Sequence, residues 1–311
     1  MKKLAKAFIF LTSLNTSYQI QAQGCSDAGF CTLNNFKPAV TATTSDSSAA
    51  QTTSYFNQIK VGASVGKADM NITAIGFYLE YNRQFNDKLS ADVKITGLSQ
   101  NGQNISTTGI SDAYLNLNYR PISNLGFTGG LKLPFTQGNY KINSFSLPMD
   151  YQSSLGTFDI LFGISYTVKK FQLVAALQQP ITQNKNSYLA EIHLPGSIYG
   201  GFTTTNKFKR AGDVLLRGSY PFKIGEKFTI SPSILGIYHL TQDKFTDMNG
   251  VQQPITGSEG FTLNGVVFID YALNERSALQ LNAGTPFIIR KVRPDGLTRA
   301  FVVTLEYKHK F

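Results

Sequence analysis

Three stretches of this chain place an aspartate seven residues ahead of a tyrosine: Asp112 in "SDAYLNLNY", Asp159 in "FDILFGISY" and Asp213 in "GDVLLRGSY". Carboxylates repeated at one spacing can line a filter, satisfy buried cations in a network, or orient a histidine that activates a nucleophile. Three histidines are available, His193, His239 and His309. A hydrolytic site could draw on Asp213 and His239, and an ordinary ion pair uses the same two residues. A Ser–His pair would also need an Asn or an acid to orient the ring. The expectation is a protein that is not an enzyme and carries no cofactor. The only cysteines are Cys25 and Cys31, in "GCSDAGFC". They offer too few soft ligands for a metal, and in an oxidising compartment they would form a small disulfide loop. Acylation of Cys25 is the alternative, although the preceding "AQG" lacks the usual leucine.

Those residues need elements to hold them, and from residue 56 onward the chain is written in period two. In the closing stretch "FVVTLEYKHKF" the positions Phe301, Val303, Leu305, Tyr307, His309 and Phe311 alternate with Val302, Thr304, Glu306, Lys308 and Lys310. That is a strand with two different faces. Twelve such segments can be read, near 56–66, 72–85, 89–98, 109–120, 125–135, 156–168, 171–179, 211–222, 227–240, 261–273, 277–287 and 299–311. Tight turns such as "NDK", "PISN", "KK", "KIGE" and "NER" alternate with longer connections near 99–108, 136–155, 180–210, 241–260 and 288–298; only the connection near 67–71 breaks this pattern. An even number of strands of about ten residues, with both termini on the tight-turn side, predicts a transmembrane antiparallel β-barrel. It must close, because an open edge in lipid leaves backbone groups unpaired. Pro232 in the ninth segment argues for a bulge there or for a boundary misplaced.

Each even-numbered segment carries a tyrosine at its turn end: Tyr81, Tyr119, Tyr166, Tyr220, Tyr271 and Tyr307. Six in register make a girdle at one membrane interface. The opposite face then lines the lumen. Asp112, Lys132, Asp159, Asp213 and His239 fall near the loop-side mouth, and Asp92, Lys94, Arg217, Asp270 and Glu306 point inward elsewhere. Leu161, Val174, Ala176, Leu215, Leu235, Ile237, Val266 and Phe268 also point inward, as an apolar wall on one side. A water-filled porin has a polar interior, so this wall calls for an occupant: a hydrophobic solute, or the N-terminal lead folded inside as a plug.

The flanking composition agrees with export. "MKKLAK" followed by "AFIFLTSL" reads as a signal peptide over residues 1–23, cleaved near Ala22 or Gln23. Residues 24–55 are a Ser/Thr-rich lead, and 56–311 the barrel. Charged residues are 15% of the chain and its formal charge is +10, of which Lys2, Lys3 and Lys6 leave with the signal. The remaining basic residues scatter through turns and loops, in no helical stripe. They predict solvated loops and contact with outer-membrane lipid, and no nucleic-acid partner. The connection around "NSYLAEIHLPGSIYGGF" is apolar for a loop, which suits either a docking surface or a constriction folded into the mouth.

A terminal phenylalanine on an amphipathic strand resembles the signal by which the barrel-assembly machinery accepts outer-membrane proteins, and Phe311 fits it. The strand ends "GLKLPF", "ALQQPI" and "AGTPFI", together with "SDAYLNLNYR" and "GDVLLRGSYPF", resemble the outer-membrane channel family of meta-pathway phenol degradation, which is similar in style to the long-chain fatty-acid channels. The resemblance covers residues 56–311. It implies an outer-membrane channel of a Gram-negative bacterium for small hydrophobic or amphipathic solutes. A non-transporting scaffold or secretion accessory is the alternative reading, and an outer-membrane hydrolase a further one.

Overall fold

The computed structural model describes residues 33, 36–38, 57–194, 196–295 and 299–311. The expected signal peptide and both cysteines, with their expected disulfide, lie outside the described residues. Twelve strands build one sheet: β1 (Asn57–Ala68), β2 (Thr73–Gln84), β3 (Leu89–Gly102), β4 (Ile105–Ile122), β5 (Leu125–Pro134), β6 (Asp159–Val168), β7 (Phe171–Pro180), β8 (Asp213–Ser219, resuming as Phe222–Ile224), β9 (Phe228–His239), β10 (Gly260–Ala272), β11 (Ser277–Ile288) and β12 (Arg299–Lys310). Every strand pairs antiparallel with its sequence neighbours, and β1 pairs with β12, so the sheet closes. At the seam the Asn57 amide donates to the Phe311 carbonyl at 3.1 Å, and the Phe311 amide returns the bond at 3.0 Å. The chain's last residue is thus part of the closing ladder.

Period two places the side chains as expected. Val61, Ile75, Phe77, Leu79, Val93, Leu115, Leu117, Phe162, Leu173, Leu216, Ile234 and Leu305 face outward and are exposed, while Lys60, Glu80, Asp92, Lys94, Asn116, Asp270 and Glu306 face inward and are buried. An apolar outside around a polar inside is the arrangement of a barrel whose solvent is lipid. Tyr81, Tyr119, Tyr166, Tyr220 and Tyr307 stand outward at 39–47% exposure. Tyr271 is half-buried because its ring leans on Phe228, with centroids 4.6 Å apart. Among the described residues no helix is long and apolar enough to cross a membrane; the strands do it.

Two expectations need correction. The second outer connection is not a ten-residue loop. β3 and β4 run on to Gly102 and from Ile105, and Gln103 and Asn104 turn the hairpin with φ of 52° and 62°, the left-handed pair a type I′ turn needs. The polar residues 99–108 alternate less visibly because the extension carries no lipid-facing apolar set. The difficulty at Pro232 is solved next door. β9 keeps its register with β10 through Pro232↔Val267, whereas β8 is interrupted at Tyr220 and Pro221, opposite Pro232 and Ser231. The Tyr220 amide still donates to the Pro232 carbonyl at 3.1 Å. The missing reciprocal donor is absorbed by a break in the neighbouring strand, with no bulge in β9.

The longer connections pack over one end. Ile72, Ile105, Leu147, Tyr151, Tyr188 and Phe202 form one small core, and Met149, Leu155, Phe208 and Ile255 another. The apolar loop is therefore divided. Phe202 is buried in the cap, while Leu194, at 79%, and Ile192 stay exposed.

Candidate functional site

Leu161, Val174, Ala176, Leu215, Leu235 and Ile237 come together inside the barrel as one buried cluster, with Val266 packed against its edge. They sit on β6–β10, where pairs such as Leu215↔Ala176 and Leu215↔Ile237 place them side by side. Phe268 is buried too, slightly apart, with the Arg217 guanidinium 5.7 Å from its ring centre. The wall is covered. Leu33 and Phe36 of the lead belong to the same cluster, together with Tyr114 from β4. The Phe36 amide donates to the Leu33 carbonyl at 2.9 Å, forming a short turn, and Arg217 donates to the Phe36 carbonyl. Gly163 makes the room, since a Cβ there would stand 2.4 Å from the Phe36 ring. The described part of the lead, one of the two occupants the wall called for, lies against it.

The facing wall is charged and largely paired. Lys60 meets Glu80 at 2.6 Å, and Lys37 of the lead meets Glu306 at 2.7 Å. Lys94 lies 4.2 Å from the ring centre of Tyr78. Asp92 accepts from the amides of Asn116 and Asn118 at 2.6 and 2.7 Å, and Asp270 accepts from Gln280 at 2.8 Å. The lead is thereby gripped from both sides, Phe36 by apolar contact and Lys37 by charge.

The five mouth charges are all buried, in three places. Asp112 accepts from Ser154 at 2.6 Å. Lys132 and Asp159 pair at 2.8 Å, each with no exposed side-chain surface. His239 holds Asp213 through Nδ1 at 2.6 Å and Asp243 through Nε2 at 2.8 Å. Arg210 binds Asp213 and Arg290 binds Asp295, the latter at 2.9 Å. The loop residues Arg210, Asp243, Arg290 and Asp295 were invisible to periodicity, because loops have none. An imidazole with both nitrogens on carboxylates has no lone pair left to accept a proton from a nucleophile, so this Asp–His contact is an ion-pair network. A second contact, His309 Nδ1 to Ser277 Oγ at 3.0 Å, faces outward at the turn end. Tyr307 also donates to that Oγ, at 3.1 Å. Among the described residues neither an acid nor an Asn side chain bonds His309.

The cap over this mouth carries its own titrating group. Asp150 sits in the 3₁₀ turn Met149–Tyr151. Burial pushes its carboxyl from 3.8 up to about 7, with Asp69 and Asp295 adding like charge, against its own backbone amide and Arg293. A raised carboxyl means that the folded cap holds a proton the unfolded cap releases. Cap stability is therefore greatest in acid, falls as pH rises from about 4 to about 7, and is flat above. Hydrogen-exchange protection of 136–155 is expected to follow that curve, and Asp150→Asn to flatten it. A wild-type profile without pH dependence would refute the assignment.

No protein-family model matches this chain, and the search of curated proteins gave no match. Solved structures similar to it are barrels. They include a NanC porin, at 8% identity, TM-score 0.43, covering 82% of this chain and 98% of that one. The toluene transporter TodX of Pseudomonas putida is 12% identical, TM-score 0.41, covering 82% and 89%. A monoaromatic hydrocarbon channel, CymD, is 9% identical, TM-score 0.41, covering 83% and 89%. Likenesses this weak carry no argument; the barrel rests on its own closed ladder.

Proposed function

We propose that this protein is an outer-membrane channel for small hydrophobic or amphipathic solutes, with its lead as a stopper on the solute path. The observation that carries the reading is the apolar wall of Leu161, Val174, Leu215, Leu235, Ile237, Val266 and Phe268, reached inside the barrel by Leu33 and Phe36 of the lead, which lie outside the strands. A barrel filled only for stability could cover that wall with strand residues. Here Tyr114 of β4 supplies part of the cover, and Leu33 and Phe36 of the lead supply the rest, placed where a ring-sized solute would lie. Against such a wall a solute burying on the order of 100 Å² gains roughly 2–3 kcal/mol, enough to load and still leave. The signal peptide, the turn-end girdle and Phe311 support export and insertion through the assembly machinery. The long connections then face outward from the cell and the tight turns face the periplasm.

The test is uptake of a labelled aromatic hydrocarbon by liposomes carrying folded barrel. Leu235→Asp and Phe268→Asp each put a charge into the wall and are expected to lower tracer uptake by about tenfold or more. Small-sugar flux should hold or rise. Asp92→Asn, on the polar side, is the control and should change tracer uptake little. Undiminished tracer uptake by both wall variants in heat-modifiable barrels would reduce the wall to packing for the lead.

A further inference from the structure

Beyond their loop-side ends, three neighbouring strands carry lysines into the layer above the lipid-facing surface. β7, β8 and β9 adjoin in the sheet, and the alternation of buried and exposed side chains runs on past them. After β9, His239 and Asp243 face inward, bonded to each other at 2.8 Å. Leu240 and Lys244 therefore share the outward side, and both are exposed. After β7, exposed Ile181, Gln183 and Lys185 continue the outward set of Phe171, Leu173 and Leu177, while Asn184 and Asn186 are buried. Ahead of β8, Lys207 and Lys209 are exposed and Phe208 and Arg210 are buried. These segments pair with one another. The Lys209 amide donates to the Lys244 carbonyl at 2.8 Å, and the Lys244 amide returns the bond at 3.0 Å. The Lys207 amide donates at 2.7 Å to the carbonyl of Asn186, the residue after Lys185.

Lys209 and Lys244 thus stand directly opposite each other, and like charges so placed repel. None of the four lysines is in an ion pair among the described residues. The acids on the same connections are engaged elsewhere: Asp243 holds His239, Glu259 accepts from Gln242 at 2.9 Å, and Asp247 accepts from Gln253 at 3.0 Å. A patch kept against its own repulsion calls for an anion from outside, and its height says which. Lys185 lies four residues past Ile181, and Lys244 four past Leu240. Four strand residues rise about 13 Å, or about 9 Å of height at a tilt of about 45°. The headgroup zone is about 5–8 Å deep, and lysine stems can bend toward it.

We propose that Lys185, Lys207, Lys209 and Lys244 bind the phosphate of a membrane lipid on the loop side of the barrel, with the Lys209–Lys244 pair straddling a phosphomonoester. Such a group carries about −1.5 to −2 charges at neutral pH and three acceptor oxygens, so it can accept from both ammoniums and relieve their repulsion. The lipid's acyl chains then run down the outward face of β7–β9, past Ile181, Leu177 and Leu240. This narrows the lipid contact expected from composition to one patch and one chemistry, and it is independent of what the lumen carries.

Equilibrium binding of fluorescent lipids to the purified full-length barrel in neutral detergent tests this. Phosphatidic acid carries the phosphomonoester, phosphatidylcholine with the same acyl chains has no net charge, and inorganic phosphate is the soluble competitor. At about 20 mM salt phosphatidic acid is expected to bind about tenfold tighter than phosphatidylcholine, and at about 300 mM salt the ratio should fall toward one as screening sets in. The double variant Lys209→Gln, Lys244→Gln should lose most of that preference and stay heat-modifiable. The double variant Lys169→Gln, Lys170→Gln removes the same charge at the turn end and should keep the preference. Equal binding of the two lipids by the unaltered protein would overturn the proposal. So would a preference that survives in the Lys209, Lys244 variant, or one lost equally from both variants, which would reduce it to net charge. Inorganic phosphate displacing phosphatidic acid at concentrations near the lipid's own Kd would assign the lysines to a soluble anion and overturn the lipid as their ligand.

Discussion

A barrel lacking residues 24–38 is expected to pass a hydrophobic tracer at least about a hundredfold faster than the whole chain. The size follows from what holds the lead. Leu33 and Phe36 are each 1% exposed, and burying two such side chains is worth about 3–6 kcal/mol. A gap of that size makes the occupied state more than about a hundredfold more populated than the vacated one. The Lys37–Glu306 pair adds to it. Tracer flux in liposomes and single-channel conductance both read the effect. The shortened chain should remain heat-modifiable, because among the described residues no strand pairing involves the lead. Equal flux from both chains would show that Leu33 and Phe36 are permanent filling. Gly163→Val gives the same answer without a deletion, since the new side chain would claim the space of the Phe36 ring.

The largest loss of stability is expected from Asp159→Ala. Lys132 and Asp159 are paired at 2.8 Å with no exposed surface on either side chain. Removing one partner of a buried ion pair leaves a charge without its counterion, which costs about 3–5 kcal/mol. Thr157, 3.2 Å from the Lys132 ammonium, is a neutral acceptor and does not replace the carboxylate's charge. Urea unfolding of the barrel should shift accordingly. The double variant Lys132→Met, Asp159→Leu should recover most of the loss, because an apolar pair of similar volume has no desolvation to offset. A double variant as unstable as the single one would show that the pair's role is geometric.

What the sequence made legible was whatever follows a period. Twelve strands, their facing, the tyrosine girdle and the apolar stripe of β6–β10 all derive from alternation, and alternation is local. The hairpin extension of β3 and β4 escaped because, beyond the membrane, neither face needs to be apolar and the pattern dissolves. The accommodation of Pro232 escaped because it lies in the neighbouring strand. Arg210, Asp243, Arg290 and Asp295 escaped because their partners are fixed by loop packing. The lysine patch was hidden for a different reason: Lys185, Lys207, Lys209 and Lys244 come from two connections, and only the pairing of those connections sets them on one face. Leu33 and Phe36 did carry a faint signal, as isolated apolar residues in a polar lead.

The seam between Asn57 and Phe311 has a kinetic meaning. Every other strand pairing in the barrel joins sequence neighbours, while this one joins residues about 250 positions apart. Closing a chain of that length costs about 3 kcal/mol more in entropy than closing a hairpin of about ten residues. Hairpins therefore form first and the β1–β12 ladder last, so folding passes through a curled sheet with two bare edges. Such edges template aggregation. Lys308, His309 and Lys310 lie along one of them, and basic residues on an exposed edge discourage the wrong partner while the right one is still arriving.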